Sequence, residues 1–141
     1  MHTDGVIALA ALVRGRANDL ITRELRARGV EGVVPAHGSI LHHLYQQGEL
    51  PMGRLAVLSG RPKNTVTSLV RTLVKHGYLS RRPDPSDSRV SLVALTAKGA
   101  ALRAHSEEIS RLLLERAWGD MPQEERQALV EGLARLADNL A

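Results

Sequence analysis

The segment from Lys63 to Lys75 carries side chains that could bind a polyanion. Its apolar residues recur at spacings of three and four and would form one stripe of a helix over residues 63–76: Val66, Leu69, Val70, Leu73 and Val74. The opposite face would present short hydrogen-bonding groups and long cations: Lys63, Asn64, Thr65, Thr67, Ser68, Arg71 and Lys75. No Asp or Glu occurs in this segment, whereas an ordinary solvated helix face mixes both signs of charge. The pattern indicates a helix face adapted to a negatively charged surface.

The distribution of charge along the chain supports this interpretation. The chain has 141 residues and a formal net charge of +4. Residues 50–96 contain eight basic and two acidic side chains, whereas residues 1–49 are neutral and residues 97–141 are net acidic. A polyanion is the natural partner of such a segment. Charge alone is equally compatible with a solvated basic surface.

The elements around the cationic segment predict a helix-turn-helix. Leu50-Pro51 is predicted to begin a short helix with Leu55, Ala56 and Leu58 inward, and Ser59-Gly60 to end it. Pro62 suits the first position of the next helix, because its missing N–H is not needed there. Gly77 suits the end of that helix. Two helices joined by a tight turn containing glycine form a helix-turn-helix.

A β-hairpin is predicted immediately after these helices. Residues 78–82 and 90–95 have strand character, and Val90, Leu92 and Ala94 would share a face of the second strand. The intervening Pro83-Asp84-Pro85-Ser86-Asp87-Ser88 is dense in turn formers. A hairpin with a polar tip flanked by arginines, placed after a helix-turn-helix, makes a winged helix.

Three longer helices are predicted outside this core. The first covers residues 5–28, Thr96 would cap a second that runs to about Trp118, and Pro122 would begin the last. The predicted fold is mainly α with a small β-hairpin wing (α+β). It is one domain over residues 1–141, with a winged core at about 35–96 and dimerisation helices at about 5–28 and 97–140. The apolar stripes of the end helices exceed what the core could cover, so a symmetric dimer is expected. The alternative is a monomer whose end helices wrap the core.

The run LAVLSGRPKNTVTSLVRTLVKHGYLSRRPDPSDSRVSLVALTAKG, residues 55–99, resembles the MarR family of transcriptional regulators. The most specific part is Asp87-Ser88-Arg89 followed by Leu95-Thr96 and Gly99. One long helix before this run and two after it also fit the family. The resemblance implies a bacterial, cytoplasmic homodimer that binds a pseudo-palindromic site on double-stranded DNA. It further implies a repressor that a small molecule releases.

Individual roles can be assigned to the cationic segment on physical grounds. Arg71 could bind guanine in a bidentate manner and Asn64 could bind adenine. The remaining candidates for base-edge or phosphate contacts on the same face are Thr65, Thr67 and Ser68. Lys63, Arg54 and Lys75 suit phosphate contacts.

The resemblance assigns roles in the wing. Arg89 would reach the minor groove, and Asp87 would orient its neighbours through an ion pair. The alternative is an Asp87–Arg89 salt bridge that stabilises the wing without touching DNA. Arg81 and Arg82 flank the hairpin, and we expect one to contact a phosphate and the other to face Asp87.

Composition excludes several other functions. The chain has no Cys, so disulfides, thiol catalysis, Cys-ligated zinc and thiol redox sensing are excluded. Three aromatic residues, Tyr45, Tyr78 and Trp118, are too few for a platform that stacks unpaired bases. There is no H-E-x-x-H or G-x-S-x-G motif, and we expect no enzymatic activity and no cofactor. No apolar run is long enough to span a membrane, and the N-terminal charges are in the opposite order to a secretory signal, so a cytosolic protein is expected.

Histidines offer an alternative, a metal-responsive regulator of the same fold. Some members of the family sense zinc, and the candidate ligands here would be Glu24, His42 or His43, His105 and Glu108. Adjacent helical residues point about 100° apart, so His42 and His43 cannot share one site. The commoner case for His105 is a hydrogen-bonded histidine at an interface.

The effector is the least determined feature. By resemblance, a phenolic compound would bind between the winged core and the dimerisation helices. The lining would come from parts of residues 9–20, 37–45 and 102–113, with Arg14 or Arg16 near an anionic group. A regulator that needs no ligand is the other possibility.

Overall fold

A computed structural model describes residues 2–141, which are mainly helical with one small sheet. The elements are α1 (Val6–Ala27), α2 (Gly38–Gln47), β1 (Leu50–Pro51), α3 (Met52–Ser59), α4 (Lys63–Lys75), β2 (Leu79–Pro83), β3 (Ser91–Leu95), α5 (Ala97–Trp118) and α6 (Gln123–Leu140). Short 3₁₀ turns precede α1 at Thr3–Gly5 and α2 at Pro35–His37. The helices end within one or two residues of their predicted limits, and the mainly α, winged-helix prediction is confirmed.

The prediction for Leu50-Pro51 was wrong, because these residues form a strand and α3 begins after them. Leu50 pairs with Val93 and Pro51 with Leu92 in an antiparallel ladder. A residue that precedes proline is driven towards extended backbone, and Pro51 itself has a ψ of 144°. The wing is therefore a three-stranded sheet in the order β1-β3-β2 instead of an isolated hairpin.

The helix α4 begins at Lys63, so Pro62 precedes the helix instead of taking its first position as predicted. Pro62 has a ψ of 145° and occupies the position before the first helical residue, while its carbonyl oxygen accepts a hydrogen bond from the Val66 N–H at 3.1 Å. At the other end Gly77 adopts a φ of 82°. Its N–H and that of Tyr78 bond back to Val74 and Leu73, at 3.0 Å and 2.9 Å. This is a Schellman ending, which favours glycine for its left-handed conformation.

Val93 marks the inward face of β3, which the sequence did not identify. Val93 is completely buried, whereas Leu92 and Ala94 are only half-buried. Apolar residues occur on both faces of this strand, so alternation alone could not identify the inward face. The pairing of β3 with strands on both sides places Val93 against the helices.

One apolar core joins the helix-turn-helix to the sheet. Its members come from α2, α3, α4, the three strands and the start of α5, and those exposed by no more than about 1% are Ile40, Leu44, Leu55, Val66, Val70, Leu73 and Val93. The stripe predicted for α4 is thus confirmed by Val66, Val70 and Leu73. Burial of this stripe fixes which face of α4 is left for solvent or a partner.

The chain separates into two compact units, and the division falls within α5 after Ile109. The first unit holds the winged core together with α1. Its α5 segment begins at a predicted cap, where the Thr96 hydroxyl accepts a hydrogen bond from the Gly99 N–H at 3.1 Å.

The second unit, Ser110–Ala141, is a pair of helical segments. Its connecting turn is held by Arg126, whose guanidinium lies 5.7 Å from the Trp118 ring centroid and whose Nε donates to the Met121 carbonyl at 2.8 Å.

Candidate nucleic-acid interface

The exposed face of α4 consists of the predicted polar residues. Lys63, Asn64, Ser68, Arg71 and Lys75 are exposed, and Thr65 and Thr67 are half-buried. Because α4 contains no acid, no carboxylate of its own competes with a bound anion for these cations. The face therefore combines positive charge with short hydrogen-bonding groups on a rigid helix.

Two of these polar groups already make local hydrogen bonds. The Thr67 hydroxyl donates to the Lys63 carbonyl at 2.8 Å, and the Asn64 side-chain oxygen accepts from the Thr65 N–H at 2.9 Å. The Asn64 amide hydrogens remain directed away from that bond, and Thr67 retains an acceptor oxygen. Arg71 is exposed and makes no side-chain hydrogen bond to another group in residues 2–141. All its N–H donors are therefore available to a ligand.

A basic cleft lies between the start of α4, the start of α3 and the wing. Its volume is about 370 Å³. The lining residues include three cations and no acid: Pro51, Met52, Gly53, Lys63, Thr67, Arg81, Arg89, Val90 and Ser91. The fold thus brings together predicted residues from the helix and from the wing. Such a cleft suits a phosphate-bearing ligand, since backbone phosphates are the principal targets of Lys and Arg in DNA complexes.

The wing tip is organised by Asp87. One of its carboxylate oxygens accepts from the Arg89 N–H at 3.1 Å and from the Arg89 Nε at 3.0 Å, and the other accepts from the guanidinium at 3.2 Å. These hydrogen bonds hold the pKa of Asp87 below its ordinary value. The Arg89 side chain is 89% exposed, so the pair projects the guanidinium into solvent at the tip.

The two arginines at the base of the hairpin have different partners, and neither faces Asp87 as one of them was expected to. Arg82 forms a bidentate pair with Glu49, at 3.0 Å and 2.8 Å. Hydrogen bonds from Arg82 lower the pKa of Glu49. Arg81 donates to the Ser91 hydroxyl at 3.2 Å and lines the basic cleft. The side chains of successive strand residues point to opposite faces, which explains why Arg81 and Arg82, neighbours in sequence, reach different groups.

Two side chains near Arg54, one exposed and one half-buried, were not singled out from the sequence. Arg54 lies on the exposed face of α3 as predicted, and Val57, one helical turn further on, is 70% exposed. Arg61 follows the left-handed Gly60 in the turn and is half-buried. Its position between the two helices of the motif was the available signal, because the turn lies beside the α4 N-terminus.

The groups considered for zinc make other contacts. Glu24 and Glu108 both pair with Arg28, the former at 3.7 Å and the latter through a direct hydrogen bond. His42 and His43 pack edge to face with ring centroids 5.3 Å apart. Among residues 2–141 no three His, Asp or Glu side chains are grouped so that they could hold a metal ion. An Arg guanidinium between two of the candidate carboxylates explains why they do not form a cation site.

A buried histidine was missed by sequence reasoning. His37 is 1% exposed and its Nδ1 accepts a hydrogen bond from the Val34 N–H at 2.9 Å. Its Nε2 is buried and has no hydrogen-bond partner among the described residues. Burial lowers the pKa of His37, with the Leu69 backbone opposing and the charge of His76 assisting. A polar residue in a 3₁₀ turn gives no periodic signal, so burial here could only be seen in the structure.

None of the helices in residues 2–141 is both long enough and apolar enough to cross a membrane.

A short helix, a tight turn, an acid-free polar helix and a sheet with an arginine at its tip define a winged helix-turn-helix protein. Comparison with known proteins identifies the family. The MarR family model matches residues 35–91. YcgE of Bacillus subtilis (strain 168), described as an uncharacterized HTH-type transcriptional regulator, is 30% identical over 111 residues, which are 76% of this chain and 70% of YcgE. The chain belongs to the MarR family of transcriptional regulators.

Two further comparisons extend the similarity. YdgJ, another uncharacterized HTH-type transcriptional regulator of the same organism, is 28% identical over 109 residues, or 77% of this chain. The match spans 66% of YdgJ, just under two thirds of its length. The crystal structure of the PcaV transcriptional regulator from Streptomyces coelicolor, in complex with its natural ligand, superposes with a TM-score of 0.83. At 20% identity over 94% of this chain and 92% of PcaV, this likeness establishes the fold.

Proposed function

We propose that the chain is a homodimeric, sequence-specific DNA-binding repressor of transcription whose DNA complex is released by a small molecule. The observation that carries the DNA-binding part is the convergence of Lys63 and Thr67 of α4 with Arg81 and Arg89 of the wing around one acid-free cleft. In this proposal α4 enters the major groove, where base edges can be distinguished. The wing follows the adjacent backbone and extends Arg89 towards the minor groove.

The proposed contacts divide into two kinds. Arg71, Asn64 and the hydroxyls of Thr65, Thr67 and Ser68 read base edges or bind the nearest phosphates. Cations at the periphery of the interface bind phosphates: Arg54, Lys63, Lys75 and Arg81. Arg82 contributes mainly through its pair with Glu49, which holds the second strand of the wing against the segment before β1.

Exposed apolar side chains on the end helices support the dimer. On α1 they are Ile7, Leu9, Leu12 and Val13, and on α6 they are Leu129, Val130, Leu133 and Leu140, each between 40% and 75% exposed. Several exposed apolar side chains on one helix mark an association site, and each of these two helices has such a set. A second copy of the chain is the partner we propose, because a symmetric dimer would present two copies of α4 to two half-sites.

The effector part of the proposal rests on the family. The PcaV transcriptional regulator, which shares this fold, forms a complex with its natural ligand. A corresponding small molecule for this chain would shift the protein towards a dimer in which the two α4 helices no longer match the half-site spacing. Glu24 and Glu108, two of the candidate zinc ligands, both form ion pairs with Arg28. These contacts give no support to the alternative of a metal-responsive regulator.

Selection of duplexes from a random pool tests the DNA-binding proposal. Sequencing after several rounds should reveal an inverted repeat whose half-site centres are about 10 base pairs apart, one helical turn. Recovery of a single unrepeated half-site would contradict the dimeric mode. Recovery of no preferred sequence would contradict specific recognition. A reporter driven from a promoter that contains the selected site then distinguishes a repressor, which lowers expression, from an activator.

A further inference from the structure

The C-terminal end of α4 leaves three successive carbonyl groups beyond its Schellman ending. The bonds of Gly77 and Tyr78 satisfy the carbonyls of Val74 and Leu73. The carbonyls of His76 at the C-cap and of Gly77 and Tyr78 just after it have no donor within α4, so their donors must come from another element. The groups that donate hydrogen bonds to these carbonyls therefore hold the C-terminal end of α4 in place.

All three carbonyls receive donors from the beginning of α5. The Lys98 ammonium donates to the His76 carbonyl at 2.7 Å. The Thr96 hydroxyl donates to the Gly77 carbonyl, and the Thr96 N–H donates to the Tyr78 carbonyl at 3.1 Å. A cation at this point also interacts favourably with the negative end of the α4 dipole. Lys98 is further held over the Tyr78 ring, 4.4 Å from its centroid.

Close approach of the two backbones completes the junction. A Cβ on Gly99 would overlap the Tyr78 carbonyl oxygen and lie 3.2 Å from the Leu95 side chain. The Thr96 hydroxyl that bonds to Gly77 also accepts from the Gly99 N–H. The first turn of α5 and the last turn of α4 therefore share one hydroxyl group and one close backbone contact.

The same junction also anchors the wing. Strand β2 begins and β3 ends beside it, with Leu79 paired to Leu95. Thus the C-terminal end of α4 and the base of the wing, the two elements proposed to contact DNA, are held at one junction. Displacement of α5 would change the angle of both.

We propose that Lys98 is a positioning residue for the DNA-binding surface, acting with Thr96 and Gly99 to fix the direction of α4 and the wing. This inference rests on the proposed function, because it assigns those two elements to DNA. Lys98 is exposed, so the competing role is a direct phosphate contact. A third possibility is a contribution to folding alone.

The three roles predict different binding behaviour for Lys98→Met. A positioning residue lowers affinity for the selected duplex, by between about twofold and thirtyfold for a residue that acts through a neighbouring element. Affinity for an unselected duplex of the same length is unchanged, since non-specific binding depends on charge and not on the alignment of α4. The slope of log affinity against log salt on the unselected duplex also stays at the wild-type value.

The experiment measures both duplexes with the full chain over a salt series, well below the unfolding temperature. Lys98→Arg should recover most of the specific affinity, because it restores a cationic donor. Arg26→Met, which removes an exposed cation from α1, serves as the charge-matched control. Gly99→Ala should lower specific affinity more than Lys98→Met, whereas Gly38→Ala, where a Cβ meets open space, should not.

Two results would overturn the inference. Equal losses on both duplexes, with the salt slope reduced by about 0.9 for each subunit that contacts the duplex, would make Lys98 a phosphate contact. If Lys98→Met binds both duplexes with wild-type affinity, the contacts of Lys98 contribute only to folding and not to DNA binding. Failure of the wild-type chain itself to bind any duplex would instead refute the proposed function.

Discussion

Arg82 and Arg89 belong to the same hairpin, yet their surroundings give them different capacities to bind DNA. Arg82 is held by both oxygens of Glu49, so a phosphate would have to displace a carboxylate to bind it fully. Arg89 is also paired, but with a residue at its own wing tip, and its side chain stays 89% exposed. Asp87 can keep its bond to the Arg89 N–H while the guanidinium turns to another anion. Arg82 therefore stabilises the wing through its ion pair with Glu49, whereas Arg89 remains accessible to a ligand at the wing tip.

Substitution of Arg89 and Asp87 should show that these two residues act as a unit. Arg89→Ala should lower affinity for the selected duplex and reduce any preference for A·T pairs at its outer ends, because a narrow A·T-rich minor groove attracts arginine. Asp87→Ala should also weaken binding, since the wing tip loses the bonds that shape it. The double variant should lose less than the two single losses combined.

The measurement is a double-mutant cycle of DNA affinity on one duplex. Thermal midpoints of all variants should match the wild type, because both side chains lie at the solvent-exposed tip. Losses that simply add would contradict the ion-pair role of Asp87. Normal binding by Arg89→Ala would make the wing a structural element only.

His37 should make the stability of the winged core depend on pH. Its Nδ1 accepts from the Val34 N–H, so protonation would place two donors against each other in a buried site. Burial lowers the pKa of His37 in the folded chain from 6.5. The unfolded chain therefore takes up a proton first, and the free energy of unfolding decreases as the pH falls below about 6.5.

Chemical denaturation between about pH 8 and pH 5 checks this prediction. His37→Gln, which has no group that titrates in this range, should show a smaller decrease than the wild type. His42→Gln, at an exposed position of α2, should retain the wild-type dependence. An identical pH dependence in the His37 variant would show that another group is responsible.

At the scale of elements, α4 is fixed on one side by the core and at its end by α5, which leaves its polar face free. Burial of Val66, Val70 and Leu73 sets the rotation of the helix about its axis. The bonds from Thr96 and Lys98 hold its C-terminal end. In the proposed complex this rigid support would allow the α4 side chains to distinguish bases, because a misaligned donor cannot reach its acceptor.

Lys63→Ala and Arg71→Ala should separate phosphate contact from base recognition on α4. Lys63→Ala should weaken binding to every sequence alike and reduce the log–log salt slope by about 0.9 for each subunit, or about 1.8 for the proposed dimer. Arg71→Ala should cost about 1–3 kcal/mol on the selected duplex and relax the preference at one position in each half-site. Titrations of the selected duplex and single-position variants over a salt series provide both quantities. Wild-type behaviour of both variants would show that α4 is not the recognition helix.

At the scale of the whole molecule, the apolar surface of the end helices is the feature that a single chain leaves unexplained. In α6 no side chain is fully buried, although its leucines and valine follow helical spacing. The same holds for the first half of α1, whereas Leu20 and Leu25 in its second half are buried. The two ends of the chain are therefore the places where association should be tested.

The mass in solution should be close to twice the 15.3 kDa of one chain. Leu133→Glu on α6 should shift the equilibrium towards the monomer, since a charge cannot be buried without a partner. Val34→Glu, at a position with 48% exposure outside the end helices, is the control and should leave the mass unchanged. Ultracentrifugation at micromolar concentration measures both. A monomeric wild-type chain would contradict the dimer.

The sequence by itself determined the order of the helices and of the two hairpin strands, the winged-helix class and the composition of the α4 face, but not the strand β1. These features depend on local signals, namely apolar spacing, glycine at helix ends and the absence of acids between Lys63 and Lys75. Periodicity also identified the part of the core that α4 contributes, because an apolar stripe must be buried whatever its partner is. The resemblance of residues 55–99 to a family added the wing roles, which remain predictions.

Only the tertiary structure decided which groups meet. It paired Leu50 with Val93, turned Val93 inward, joined Arg82 to Glu49 and placed Arg28 between two candidate zinc ligands. It also buried His37 and brought Lys98 to the end of α4. Each of these contacts joins residues whose partner is not set by helical or strand spacing, or depends on which of two possible faces is inward. Local spacing cannot specify such contacts, because they follow from how the elements pack and not from the conformation of any one of them.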